Sequence, residues 1–247
     1  MSVAYAPILD AIPPRTAMIR LRARWELARR NPSYFQRWFV YTNKAERRVG
    51  ADGRIYYENI EAPFPIATRP HLQYLNELWL HNAVGLVSKA RQMQVTWWLA
   101  SLALWDAVHH DNRLIMLQSK RLEDVIGDMQ TGDGLLGRVK YMLHRIPYRH
   151  EIGLEFDPFE NGSAKVSIAS RHSTIWAIAQ GGAILRQRTA GGIASDETAL
   201  QPEFEESFTA AMPCIRSGGW WWGATTANVV DKGFSRKLVK DILDDEQ

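Results

Sequence analysis

Cysteine is nearly absent, with Cys214 the one thiol in 247 residues. That count excludes a disulfide framework and a cysteine-rich zinc site, and a reducing compartment is expected. Long apolar runs are missing too. The best candidate, Val95 to Val108, is shorter than the ~20 residues a bilayer requires and carries Asp106. No basic stretch leads into an apolar one at the N-terminus, so no secretory signal is expected and the chain reads as cytoplasmic. Glycine (17) and proline (11) are not in excess, which excludes collagen-like and low-complexity architectures. What remains is a globular composition, 46% hydrophobic and 23% charged. The length suits one large domain or two small ones, taking ~150 residues per domain, and can bury a real core.

The net charge is only +3, but it is unevenly placed. Residues 15–48 hold ten Lys/Arg (Arg15, Arg20, Arg22, Arg24, Arg29, Arg30, Arg37, Lys44, Arg47, Arg48) against Glu26 and Glu46. That segment is +8, which leaves −5 for the rest. Arginine outnumbers lysine 22 to 8, and such asymmetry points to an anionic partner. Three readings stand side by side: non-specific contact with DNA phosphates, docking on another protein, or a solvated amphipathic face.

Periodicity organises the chain. Residues 1–14 read as an extended arm. Thr16 to Arg30 reads as a helix, with Met18, Leu21, Trp25 and Ala28 on one face and arginines on the other. Tyr34 to Glu46 reads as a second short helix. Ala51-Asp52-Gly53-Arg54 reads as a hairpin-type turn leading into a strand at Ile55-Tyr56-Tyr57. His71 to Leu80 is helical. From Gly85 the rhythm becomes strand–helix alternation. Strands are expected at Gly85–Ser88, Arg113–Gln118, Ala164–Ser170, Thr174–Ala179, Ile193–Ser195 and Trp220–Thr225. Helices are expected at Thr96–His109, Arg121–Gln130, Leu135–Arg145, Glu203–Met212 and Phe234–Leu243. This predicts an α/β fold with a mainly parallel sheet covered on both faces. Residues 1–60 form a basic helical N-terminal segment and residues 61–247 the α/β domain.

The stretch Lys89-Ala90-Arg91-Gln92-Met93-Gln94-Val95-Thr96 joins the first core strand to an apolar helix. That is where a phosphate-binding loop belongs, with backbone N–H groups and a helix N-terminus receiving phosphates and a Ser/Thr hydroxyl on Mg²⁺. Against G-x-x-x-x-G-K-[ST], only Thr96 fits. A second landmark is Ile193-Ala194-Ser195-Asp196-Glu197, a strand ending in two carboxylates. There the first acid suits Mg²⁺ and the second suits activation of an attacking water. A third is Gly223-Ala224-Thr225-Thr226-Ala227-Asn228, hydroxyls and an amide at the tip of an aromatic strand. Trp97 and Trp98 read as core residues. In the run Trp220–Trp222, alternation along a strand predicts one buried and one exposed face. His109-His110-Asp111 reads as a helix end rather than a metal cluster, because adjacent residues there point apart. Arg186 and Arg188 suit either a DNA path or pairing with acids.

Together and in order these features resemble the ATPase domain of phage large terminase subunits, over roughly residues 60–230. The match is carried by RPHLQYLNEL before the loop and by SKARQMQVTWWLASLAL through it. NRLIMLQSKRLEDV follows, then AIAQGGAILRQRTAGGIASDETALQPEFEESFTAAMP around the acid pair and SGGWWWGATTAN at the last strand. The resemblance implies an ASCE-type P-loop NTPase that hydrolyses ATP to move double-stranded DNA into a procapsid. Its expected partners are the portal protein, the small terminase subunit and further copies in a homo-oligomeric ring, in the cytoplasm of a bacterial host. It implies Lys89, standing first in the loop, and residues Ala90 to Thr96 on the phosphates, with Gln73 on the base. Thr96 and Asp196 would hold Mg²⁺, Glu197 would be the general base, and Arg91 would stabilise γ-phosphate charge. Thr225, Thr226 and Asn228 would couple hydrolysis to movement. Arg121, Arg138 and Arg145 are candidates for an arginine acting on a neighbouring subunit. Two departures stand out. Gln94 occupies a position where the family has glycine, and a glutamine at positive φ is strained. The chain also stops at Gln247, which leaves no room for a nuclease domain, so nuclease activity is not expected. Two other readings share parts of this pattern: another helicase-like ASCE motor, and a DNA-binding or assembly module that has lost hydrolysis.

Overall fold

A computed structural model describes residues 14–156 and 163–226. In chain order the elements are α1 (Pro14–Arg30), α2 (Pro32–Phe39), β1 (Tyr41–Val49), β2 (Ile55–Pro63), α3 (Pro70–His81), β3 (Val84–Lys89), α4 (Val95–His109) and β4 (Leu114–Gln118). They continue with α5 (Leu122–Ile126), α6 (Leu135–His144), β5 (Lys165–Ile168), β6 (Ser173–Ile178), α7 (Ala183–Gln187), β7 (Gly192–Asp196), α8 (Phe204–Arg216) and β8 (Trp220–Thr226). The expected arm, apart from residue 14, and the helix expected at Phe234–Leu243 lie outside the described residues.

Six strands form one sheet in the order β3-β8-β7-β4-β6-β5. Every pairing is parallel except β5 with β6. The alternation along the central strands explains how both faces are filled. Ile115 and Leu117 of β4 and Trp220 and Trp222 of β8 belong to the cluster under α4 and α6. Met116, Ile193 and Trp221 belong to the cluster under α7 and α8. The tryptophan run therefore alternates as expected, but both of its faces are buried, which corrects the expectation of an exposed one. A central strand of a parallel sheet has helices on both sides, so neither face meets water. Gly192 makes room for this run, since a Cβ there would collide with the Trp220 indole.

Helix α4 is apolar nearly all round and is buried along its length, as a helix at the centre of a domain must be. Trp97 and Trp98 are core residues. Leu21, Trp25, Ala28, Phe35 and Phe39 of α1 and α2 pack into the same cluster as α4. A buried polar network stitches these layers. Gln36 Nε2 donates to Ser101 Oγ (2.8 Å), Asn76 Nδ2 to Gln36 Oε1 (2.7 Å), and Trp98 Nε1 to Asn76 Oδ1 (2.7 Å).

Two expected helices are corrected. Tyr34–Glu46 is not one helix. α2 ends at Phe39, and Tyr41–Val49 pairs antiparallel with Ile55–Pro63 around the Asp52-Gly53 turn. The basic segment through residue 60 is thus helical only to Phe39, and its ribbon is stabilised by cross-strand pairs such as Arg48 with Glu58 (3.2 Å). The helix expected over Arg121–Gln130 stops at Ile126. Gly127 turns the chain at φ 53, with its Cα pressed against the Asp133 carbonyl where no Cβ fits. The Asp128 carboxylate then accepts from Gln130 N (2.5 Å) and Thr131 N (3.1 Å), an Asx-type turn that competes with helix.

Candidate nucleotide site

In a parallel sheet, ligands gather at the carboxyl ends of the strands, where the crossing connections open a crevice. Here β3 ends at Lys89, β7 at Asp196 and β8 at Thr226. Lys89 Nζ donates to Thr96 Oγ1 (3.1 Å) and lies 3.7 Å from Asp196 Oδ1. The ammonium and the carboxylate are 13% and 11% exposed, so their attraction is little screened. Asp196 Oδ1 is buried and receives no hydrogen bond. A carboxylate oxygen without a hydrogen bond and a hydroxyl, both beside the Lys89 ammonium, are oxygen ligands that suit a hard divalent cation, so Thr96 and Asp196 fit the Mg²⁺ role.

These groups open into a cavity of about 560 Å³. Lys89, Thr96, Asp196 and Glu197 line it, together with Ser119 just past the end of β4, Asp124 of α5, Asp133 before α6 and Arg138 of α6. Glu197 sits in the left-handed region at φ 53, directly after β7. Such a conformation costs roughly 1–2 kcal/mol for a residue with a Cβ, and here it sets Glu197 on the cavity wall beside Asp196.

The loop is shaped by the helix before it. Arg69 Nη1 donates to the Gln92 carbonyl (3.2 Å), and His71 Nε2 meets the Met93 carbonyl at 3.0 Å, which requires the proton on that nitrogen. Gln92 and Gln94 both lie at φ 63. Gln94 is the residue from which α4 starts, and Trp98 N bonds back to its carbonyl (2.9 Å). The first amides of α4 precede any intrahelical acceptor and stand at the positive end of the helix dipole, from which Thr96 reaches the cavity wall. Gln94 therefore takes the backbone form expected of a glycine, and its Oε1 is buried without a partner.

Other expected residues are placed differently. Arg91 is exposed and is not on the cavity wall. Ala90, Gln92, Met93, Gln94 and Val95 contribute no wall either. Gln73 is exposed on α3, with its amide donating to the Ile66 carbonyl (2.8 Å). Thr225 is buried, and its hydroxyl accepts from Ala199 N (3.1 Å) in the turn after Glu197. Thr226 is in register with Lys89. Asn228 lies outside the described residues. Arg186 pairs with Glu206 (2.8 Å), and Arg145 with Glu61. No cluster of three metal-ligating side chains occurs among the described residues, and His109 is enclosed by Trp25, Phe35 and Trp105 instead. Sequence reading missed Ser119, Asp124 and Asp133. Its one available signal was the position of Ser119 just past the end of a core strand. Arg138 had been singled out, but for action on a neighbour.

A parallel sheet, a strand–loop–helix with a lysine and a threonine on the phosphate side, and an acid pair two strands away define a P-loop NTPase fold. Comparison with solved structures narrows it. The chain is similar to the large terminase of bacteriophage HK97 (TM-score 0.57, 14% identity), over 89% of this chain and 42% of that one. It is also similar to a variant of the ATPase domain of the Thermus phage P74-26 large terminase (TM-score 0.51, 12% identity), over 65% of this chain and 66% of that one. The chain thus carries the ATPase-domain fold of phage large terminases while spanning less than half the length of the HK97 protein. No family profile matches the sequence, and no curated protein matches it. No helix among the described residues is long and apolar enough to cross a membrane.

Proposed function

We propose that this chain is the ATP-hydrolysing motor domain of a phage large terminase, acting on double-stranded DNA in the host cytoplasm. The observation that carries the reading is the meeting of Lys89, Thr96 and Asp196 beside Glu197. A lysine is a flexible point charge, so entry from the strand side still serves the β- and γ-phosphates. The amides opening α4 would hold the phosphates. Thr96 and Asp196 would hold Mg²⁺, which when bound neutralises phosphate charge. Glu197 would align a water against the γ-phosphate and take its proton. The Ala199–Thr225 hydrogen bond gives the β8 tip a direct link to the turn that carries Glu197. Work on DNA would be done by a homo-oligomeric ring docked on a portal protein, with a small terminase subunit delivering the substrate.

Calorimetric titration with MgATP tests the first step, since binding does not require a ring. Saturable binding is expected in the native chain and is lost in Lys89→Ala. Glu197→Gln is expected to bind MgATP normally and to lose hydrolysis by about 10²–10⁴-fold. Stimulation of hydrolysis by duplex DNA without strand separation would distinguish a packaging motor from a helicase-like one. No binding at millimolar MgATP would overturn the motor reading and leave an assembly module.

A further inference from the structure

One arginine on the cavity wall has a buried donor that makes no hydrogen bond. Arg138 lies on the cavity wall, one turn into α6, with its guanidinium 5.4 Å from the Trp97 ring centre. Its Nε is buried and makes no hydrogen bond. Asp196, Asp133 and Glu197 are near enough to attract it electrostatically, yet none pairs with it among the described residues. Asp196 is engaged by Lys89, and Asp133 accepts from Thr131 Oγ1 (2.9 Å). Burial pulls its pKa down from the ordinary arginine value against those three acids. A half-buried guanidinium without a fork partner is costly. It is also preorganised for a tetrahedral oxyanion, because its donors are fixed in a plane and its Nε is already out of water.

We infer that Arg138 is the γ-phosphate ligand of its own subunit's site, taking the cis role that the exposed Arg91 does not fill. The inference rests on the nucleotide reading above and adds a residue to it. The two arms of the site then divide the substrate. Lys89 and the start of α4 hold the β-phosphate common to ADP and ATP, with Lys89 reaching the γ-phosphate as well, and Arg138 touches only the γ-phosphoryl group that is transferred to water. An arginine so placed neutralises charge on the transferred phosphoryl oxygens and helps the site distinguish ATP from ADP.

The test compares MgADP with the magnesium complex of a non-hydrolysable ATP analogue, by calorimetry, on the native chain, Arg138→Ala, Arg138→Lys and Lys89→Ala. Arg138→Ala should weaken the triphosphate by about 10–100-fold, the range of one charge-assisted hydrogen bond, and leave ADP within about twofold. Arg138→Lys should recover part of the loss, and Lys89→Ala should weaken both ligands. Thermal unfolding of Arg138→Met without ligand supplies the second readout. The unpaired charge costs stability, so this variant should melt at or above the native temperature. Equal weakening of ADP and triphosphate, or no weakening, would overturn the assignment. A large fall in melting temperature would also overturn it, by showing that Arg138 serves to neutralise the surrounding acids. Failure of the native chain to bind either ligand would overturn the nucleotide reading itself.

Discussion

The two ends of the sheet each hold a buried aspartate and an arginine, and they use them in opposite ways. At the amino end, Asp106 accepts from Arg113 Nε (3.0 Å) and Nη2 (2.8 Å) and from Trp220 Nε1 (2.8 Å), and His110 Nδ1 lies 2.9 Å from Oδ1. Arg113 also donates to the Gly191 carbonyl (2.8 Å). Burial alone would raise the Asp106 carboxyl, but the bonds from His110, Arg113 and Trp220 and the Arg113 charge hold it below its ordinary value. At the carboxyl end, Asp196 has an oxygen with no donor, Arg138 has no acid in pairing range, and three residues with a Cβ sit at positive φ. A satisfied network fixes structure. An unsatisfied one in a cavity is held ready for something that arrives.

Breaking the comparison directly gives the largest effect. Asp106→Asn should destabilise the chain by about 3–5 kcal/mol, because it leaves Arg113 and the Trp220 N–H facing a poorer partner inside the core. At this chain length that is a fall of roughly 10 °C in melting temperature. Asp196→Asn should cost less than about 1 kcal/mol while abolishing Mg²⁺-dependent nucleotide binding. Urea unfolding of both variants decides it. Similar losses of stability would show that the carboxyl end is as structural as the amino end.

The amino end has one exception to its tidiness, and it titrates. His109 is fully buried among Trp25, Phe35 and Trp105, with neither ring nitrogen hydrogen bonded. Burial first, then the charges of His110, Arg171 and Arg29, lower its pKa to about 3. The unfolded chain gains a proton there near pH 6.5, and the folded chain does not. Stability should therefore fall on acidification between about pH 6.5 and 3, with a slope up to about 1.4 kcal/mol per pH unit. The depressed Asp106 acts in a lower window, since its contribution is full above its unfolded value of about 3.8 and is lost below it. Unfolding curves from pH 7 to 5 should flatten in His109→Phe, which keeps the aromatic packing. An unchanged slope in that variant would place the titration elsewhere.

How far the sequence showed these two ends depended on whether a signal was local. Thr96, Asp196 and Glu197 were legible because each stands at a strand end or opens a helix whose apolar pattern is strong, and Lys89 through the resemblance its loop carries. The parallel sheet followed from the same alternation. The hairpin was half visible. Its turn was read, but YTNKAERRV is mostly polar and charged, so it has no apolar period to mark a strand, and only its pairing with Ile55–Pro63 makes it one. The burial of all three tryptophans was hidden for the opposite reason. Alternation says which face a residue takes and cannot say that α8 covers the second one. Arg138 was visible as a residue but not as part of the cavity, because its approach to Asp196 depends on how α6 packs across α4.

The smallest expected effect sharpens the comparison at the level of the backbone. Gln94 at the carboxyl end and Asn112 at the amino end have nearly the same left-handed backbone, at φ 63 and φ 56. Asparagine tolerates that region, whereas glutamine has no local hydrogen bond to offset it, and Gln94 also buries an unpartnered oxygen. A glycine relieves the first strain but costs about 0.5–1 kcal/mol in chain entropy. Gln94→Gly should therefore stabilise the chain by about 1 kcal/mol and Asn112→Gly should be neutral or slightly destabilising, both read from urea midpoints at constant slope. If the two glycine variants shift stability alike, the strain at the loop is no greater than at an ordinary turn, and the glutamine is not what sets this loop apart.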